Sequence, residues 1–215
     1  MKDFLSKLRK DYSLMGLSQQ DVSPNPFIQF ERWMAEAANS GINEPNAMTL
    51  ATVDEHQRPH SRIVLLRNFD QEGLVFYTNY ESEKSLHIQH NPHVSLTFFW
   101  VELERQVRID GLAGKISILE STEYFQSRPI ESQISAWASP QSRVISSRQV
   151  IEDQVKTFEN KFKNQTVIEK PPHWGGFRVV PTLFEFWQGR PSRLHDRIRY
   201  RLTSPNDWMI ERLAP

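Results

Sequence analysis

The chain contains no cysteine. That excludes disulfides, thiolate nucleophiles and zinc–thiolate sites together. It also lacks net charge, because 26 lysines and arginines balance 26 aspartates and glutamates. A broadly basic surface for nucleic acid is therefore excluded, and any cationic site has to be local. No apolar run approaches membrane-spanning length. The N-terminal MKDFLSKLRKDYSLMG scatters charges where a secretory signal needs an apolar core. A cytoplasmic location is the expectation. No glycine-rich phosphate loop, dinucleotide fingerprint, repeat, heptad run or low-complexity tract is present. The 215 residues suffice for one domain with a sizeable core.

What the chain does have is turn-punctuated strands with interspersed helices. A short basic helix is expected over residues 3–12. Asn25 followed by Pro26 reads as an N-cap and first helical residue, and Phe27, Phe30, Trp33, Met34, Ala37 and Ala38 follow helical spacing to Gly41. Strands are predicted over 47–54, 60–69, 74–79, 93–102 and 104–117, with a bulge or bend at Gly111 and Gly114. Helices are predicted over 82–90, from a Ser117–Glu120 capping box to 127, over 129–138 and over 147–163. A surface linker follows over 164–173, then strands over 174–180, 183–188, 198–203 and 208–213. The fold class is α+β, with a closed or partly closed antiparallel barrel and peripheral helices.

The densest chemistry lies in FEFWQGRPSRLHDRIRY, residues 184–200, with four aromatic rings, four arginines and one histidine. Such a segment can hold a flat ring and set cations against an anion; an edge strand with a solvated basic loop has the same composition. Alternation in SRIVLLR sends Arg62, Val64 and Leu66 to one face and Ile63, Leu65 and Arg67 to the other. Both arginines could bind phosphate or snorkel to solvent. Tyr77, Thr78 and Lys84 combine hydroxyls, a helix start and an ammonium, which suits a phosphate cradle or an ordinary helix cap. Gln106 can read a heterocycle edge or serve as a polar strand residue. Tyr124, Arg128 and Ser132 recur every four residues, but Pro129 interrupts the helix between them. Gln141 and Ser142 add donors in a polar loop. His87, His90 and His93 invite a metal reading, which Asn91-Pro92 opposes by breaking the helix before His93.

Taken in order, RIVLLR at 62–67, VFYTN at 75–79, LERQVRI at 103–109 and YFQSRPIESQISAW at 124–137 resemble the pyridoxine/pyridoxamine 5′-phosphate oxidase family. So do WGGFRV at 174–179, FEFWQG at 184–189, RLHDR at 193–197 and the closing ERLAP. The likeness runs from about Leu8 to Pro215. It implies a single FMN-binding split β-barrel over 1–215, with a mobile N-terminal segment (1–22) and a C-terminal dimerisation and active-site region (174–215). It implies a homodimer with FMN at the interface. The implied reaction oxidises pyridoxine 5′-phosphate or pyridoxamine 5′-phosphate to pyridoxal 5′-phosphate. Hydride passes to flavin N5, O2 reoxidises the flavin to give H2O2, and the amine also releases ammonia. Neither nucleic acid, membrane nor metal is implied as a partner.

Carried over by motif, Arg62, Ile63, Val64, Leu65, Leu66 and Arg67 line the FMN site, with Tyr77, Thr78 and Lys84 continuing it. Gln106 meets the flavin edge. Gln141, Ser142, Trp187 and Arg197 reach it from the partner subunit. Arg67, Tyr124, Arg128 and Ser132 grip the substrate phosphate. Arg193, Leu194 and His195 lie over the substrate ring, and Arg9, Lys10, Asp11 and Tyr12 form a cover. Arg193, His195 and Arg197 are the catalytic set. Arg193 stays protonated and so orients substrate, Arg197 supports the reduced flavin, and His195 either accepts a proton or holds the ring. Two positions depart from the family pattern. Arg67 replaces the usual lysine, and Glu83 stands where some relatives carry arginine, so Glu83 is not assigned to phosphate. A flavin reductase, a ligand-storage protein and a single-stranded nucleic-acid barrel are the competing readings.

Overall fold

The computed structural model describes residues 12–215, so all of the helix expected over 3–12 except Tyr12, which is not helical, and the cover residues Arg9, Lys10 and Asp11 lie outside the described residues. Helix α1 spans Pro26–Asn39. Asn25 caps it, its side chain accepting from the Phe27 and Ile28 N–H groups, a contact typically worth about 1 kcal/mol. Phe27, Phe30, Trp33 and Ala37 turn inward as the spacing predicts and Met34 is half-buried, but Ala38, at the edge of the stripe, is exposed. Gly41, at φ +78°, takes the left-handed turn that follows.

Strands β1 (Ala47–Val53), β2 (Pro59–Leu65), β3 (Asn68–Asp70) and β4 (Gly73–Asn79) lead into helix α2 (Glu83–His90). Strands β5 (His93–Trp100) and β6 (Arg105–Lys115) follow, then helices α3 (Ile118–Ser127), α4 (Ile130–Ala138) and α5 (Arg148–Phe162). Strands β7 (Trp174–Gln188), β8 (Asp196–Ser204) and β9 (Asp207–Leu213) close the chain. All pair antiparallel in one sheet of order β2-β1-β5-β6-β7-β4-β3, with β8 and β9 branching from β7. The two ends of that path, β2 and β3, are neighbours in sequence, separated only by Leu66 and Arg67. The sheet therefore curls on itself, and the seam is held where the Arg67 N–H donates to the Val75 carbonyl at 2.9 Å. The predicted strand 60–69 is thus two strands with a break at this seam. Leu50, Leu74, Phe76, Leu96, Phe98, Val107, Ile109, Phe184 and Phe186 fill the interior with no exposed surface.

The strands predicted over 174–180 and 183–188 are one strand. Its first half pairs with β4 and its second half with β8, while β6 accompanies both. Pro181 stands between the two outer partners, where its missing N–H leaves no ladder position empty on that side. The predicted irregularity in β6 falls at Asp110/Gly111, opposite Pro181. A Cβ at Gly111 would strike the Val180 carbonyl, which explains glycine there.

The capping box forms by half. Ser117 Oγ accepts from the Glu120 N–H at 3.0 Å, but the Glu120 carboxylate pairs with Arg178 at 3.2 Å. Residues 164–173 are more than a surface linker. Ile168 joins Phe125, Ile134, Phe162 and Trp174 in a second buried cluster under α3–α5. The Ile168 and Glu169 carbonyls accept from Gln126 and Trp137.

Candidate active site

A cavity of about 460 Å³ opens at the barrel seam. The end of β2 supplies Ile63, Val64 and Leu65, the seam supplies Arg67, and the end of β4 supplies Tyr77, Thr78 and Asn79. Lys84 comes from the first turn of α2. Tyr124 and Arg128 come from the end of α3, and Gln141 from the loop after α4. Tyr77, Thr78, Lys84, Tyr124, Arg128 and Gln141, scattered over sixty residues of sequence, are thereby brought together.

One wall is aromatic. Tyr77 stacks on Tyr124 at 3.8 Å between centroids and on Trp174 at 5.4 Å, all three rings within 13° of parallel. Arg128 lies over Trp174, its guanidinium carbon 4.7 Å from the ring centroid. Burial, with Arg67 nearby, draws the Arg128 pKa below its ordinary value, opposed by Tyr124. Arg128 Nη1 is buried without a hydrogen-bond partner. A buried guanidinium donor held beside a second arginine is costly unless an anion meets it. Burial also pushes the Tyr77 phenol up to about 12, so it remains a hydroxyl.

Lys84 anchors the other wall. Its Nζ donates to Gln141 Oε1 at 3.0 Å, Ser82 Oγ at 3.2 Å and Thr78 Oγ1 at 3.3 Å. Burial first, and Arg62 second, lower its pKa to about 8. Arg62 itself lies beside this wall, held against β1 and β2, and is not part of the cavity lining. Leu66 turns into the core. Glu83 is exposed and close enough to Arg62 and Lys84 to favour their charge.

A second cluster forms at the β7–β8 turn. Trp187 and His195 rings lie 4.6 Å apart, and Tyr12 meets both edge-on at 5.8 Å. Gln106, Trp187 and Arg197 lie side by side across β6, β7 and β8. Glu185, with its side chain only 4% exposed, accepts from Arg197 Nε at 2.8 Å. Its other oxygen lies 3.2 Å from Arg108 without the alignment of a hydrogen bond. His195 Nδ1 faces the Arg190 N–H at 3.1 Å. A backbone N–H can only donate, so Nδ1 accepts and the neutral ring carries its proton on Nε2. Ser192 and Arg193 both take positive φ, at 58° and 61°. They hold Arg193 and Leu194 exposed. The strap 12–17 is tied over this turn. Glu104 accepts from the Ser13 and Leu14 N–H groups, and Asp196 accepts from that of Leu17. Burial opposes the Asp196 charge, but Arg212, the Leu17 N–H and Arg190 keep its carboxyl below the ordinary range.

Within one chain these two clusters share no lining residue. The resemblance implies that Gln141 reaches FMN from the partner; in this chain it closes the cavity of its own protomer. Ser132 and Ser142 stand outside the cavity lining, and Ser135, Ala136 and Ser139 occupy the positions nearer to it. Sequence reasoning also missed Trp174 and Asn79 as wall residues. The signal for Trp174 was its Gly175-Gly176 neighbour pair: a Cβ on Gly176 would strike Ile116 at 2.5 Å and crowd Tyr77 at 3.0 Å, so glycine leaves room for both.

Fold and site together define a split-barrel protein built to receive a flat, phosphorylated ligand. The family model described as pyridoxamine 5′-phosphate oxidase matches residues 34–162, and that of the pyridoxine 5′-phosphate oxidase C-terminal dimerisation region matches 174–215. A protein of Nostoc sp. strain PCC 7120, named pyridoxine/pyridoxamine 5′-phosphate oxidase, is 51% identical over 98% of both chains. One of the same name from Cupriavidus necator is 52% identical over 98% of this chain and 99% of its own. Among solved structures, PhzG of Burkholderia lata, in complex with tetrahydrophenazine-1-carboxylic acid, superposes with a TM-score of 0.87 at 26% identity, over 96% of this chain and all of that one. The chain belongs to the pyridoxamine 5′-phosphate oxidase family.

Proposed function

We propose that this protein is the FMN-dependent oxidase that converts pyridoxine 5′-phosphate or pyridoxamine 5′-phosphate to pyridoxal 5′-phosphate. The observation that carries the reading is the paired arginines, Arg67 and Arg128, beside a stacked aromatic wall, with Arg128 Nη1 buried and unpaired. The donor set fits two phosphates. Lys84 and Thr78 line the wall for one, with Arg62 just behind them; Arg67, Tyr124 and Arg128 line the wall for the other. Bound FMN supplies the hydride acceptor and the route of electrons to O2.

The protein's own residues then bind and align. Arg128, already desolvated, meets the substrate phosphate with a charge-assisted bond. The exposed Arg193 presents its cation to the substrate ring. His195, with Nδ1 occupied by the Arg190 N–H, offers a donor at Nε2 and serves to hold the ring, not to remove a proton. Arg197, fixed by Glu185, sets positive charge beside the flavin. The two clusters of one chain are separate, which favours a homodimer in which the turn of one protomer completes the cavity of the other. The whole chain is read as one FMN-binding unit acting in the cytoplasm; among the described residues, no helix is long and apolar enough to cross a membrane.

The test is direct. Purified protein reconstituted with FMN should form aldehyde and H2O2 from pyridoxine 5′-phosphate in air, and should hardly act on unphosphorylated pyridoxine. Equal turnover of the two would defeat the phosphate assignment, and no aldehyde from either B6 phosphate would defeat the oxidase reading.

A further inference from the structure

The three histidines that stand close in sequence part company in the fold. His90 and His93 are exposed, while His87 turns under α2 and is only 9% exposed. Its ring lies 4.6 Å from that of His60. Its Nδ1 is 3.0 Å from Thr52 Oγ1, and Thr52 is buried on β1. The same Thr52 oxygen is 2.6 Å from Arg62 Nη1.

Donor arithmetic fixes the direction of this chain. A guanidinium has only donors, so the Thr52 oxygen accepts from Arg62. The threonine's single proton is then free to point at His87 Nδ1, which accepts it. Neutral His87 carries its proton on Nε2. Burial lowers the His87 pKa, with His60 and Arg62 adding to the effect and Glu83 and Asp54 opposing it, which favours that neutral ring. His60 is engaged elsewhere, its Nε2 lying 3.0 Å from Asp54 Oδ2.

Arg62 Nη1 also shares its protons with the Leu50 and His60 carbonyls, at 3.1 and 3.3 Å. Its Nε and Nη2 make no hydrogen bond among the described residues. One edge of the guanidinium is therefore pinned to the barrel wall, and the other remains available for an anion.

We propose that Thr52 and His87 are positioning residues for FMN binding: the relay from His87 through Thr52 sets Arg62 so that its open edge meets the FMN phosphate. This rests on the assignment of Arg62 and Lys84 to that phosphate. The relay carries particular weight here because the side chain at position 83, in the first turn of α2, is a carboxylate that cannot add a phosphate contact. Holding a guanidinium in place before the ligand arrives removes an ordering cost from binding.

The experiment titrates apo-protein with FMN and with riboflavin, which lacks the phosphate, following flavin fluorescence. Thr52→Val should weaken FMN by about tenfold and change riboflavin by less than about twofold; Thr52→Ser should recover FMN to within about threefold. His87→Leu should weaken FMN in the same direction, and His87→Gln, which keeps an acceptor, should recover most of it. The 15N spectrum of the apo-protein should give His87 as the Nε2–H tautomer. Unchanged FMN binding in Thr52→Val, equal weakening of FMN and riboflavin, or an Nδ1–H tautomer would each overturn the relay. If Thr52→Val fails to fold, the two His87 variants and the tautomer decide. Arg62→Ala separates the two assignments. Should it leave FMN affinity intact, the phosphate site itself is misassigned; should it weaken FMN while Thr52→Val and His87→Leu do not, only the relay falls.

Discussion

The cavity at the barrel seam and the ring cluster at the β7–β8 turn hold their cations in opposite ways. In the cavity, Arg128 is laid over Trp174 and Lys84 donates to three side-chain oxygens, so both are fixed by their surroundings. At the turn, Arg193 stands exposed on two successive residues of positive φ, and among the described residues it has no hydrogen bond or ion pair. Each such backbone conformation costs roughly 1 kcal/mol or more and is retained where geometry matters. The lesson is a division of labour. On the proposed function, groups pre-set in a packed wall would supply affinity for phosphate, and groups on a strained turn would supply alignment of the ring.

The largest expected effect tests the affinity side. Arg128→Ala should raise KM for pyridoxine 5′-phosphate by about a hundredfold, with kcat changed by less than about threefold; steady-state kinetics decide, and an unaltered KM would move the phosphate elsewhere. Next comes Lys84→Met, for which FMN titration of the apo-protein should show a dissociation constant raised by about tenfold. The sign with pH follows from the lowered pKa. The ammonium is present below about 8 and lost above it, so wild-type FMN affinity should fall as pH rises past that point, by at most about tenfold per unit for one proton. The methionine variant should lose that slope. A smaller effect probes the turn. His195→Asn should keep FMN bound but cut kcat by about tenfold, and His195→Gln, whose amide nitrogen reaches nearer the Nε2 position, should lose only about threefold. Equal losses would return His195 to a proton-transfer role, and no loss would make it dispensable. The smallest is Arg67→Lys, which keeps the charge and should alter KM by less than about threefold. A larger change would mean that the guanidinium fork gives Arg67 a two-pronged grip on the phosphate.

Much of this was legible in the chain. The Asn25–Pro26 start of α1, the opposite facing of Leu66 and Arg67 and the bulge near Gly111 follow from local rules of capping, alternation and glycine stereochemistry. The grouping of Tyr77, Lys84 and Arg128 was legible only through long motifs in a fixed order, because no local rule brings the ends of β4 and α3 together; Gln141 was expected from the partner, not in its own protomer's cavity. What stayed hidden depended on tertiary contacts. The unity of β7 could not be read across Pro181, since a proline in a strand normally marks an end. Glu185 alternates with the core residues Phe184 and Phe186 and is still buried, which the cations of both neighbouring strands, Arg108 and Arg197, explain. Trp174 read as a strand opener because its stacking partners come from β4 and α3. Asn91-Pro92 already argued against a metal site at His87, His90 and His93, but nothing local showed that α2 carries His87 inward, away from the other two.

The shared strand β7 has a consequence for how this chain can be divided. It serves β4, β6 and β8 at once, although it opens the second family segment (174–215) and the first ends at residue 162. A fragment stopping at residue 173 would strip partners from β4 and β6 and leave two raw strand edges, which invite sticking between molecules. The C-terminal piece alone would be a three-stranded ribbon whose Phe184 and Phe186 face water. The two segments are therefore inseparable at the level of the sheet, and a co-expressed pair of fragments would have to rebuild the long β6–β7 ladder before either could remain in solution.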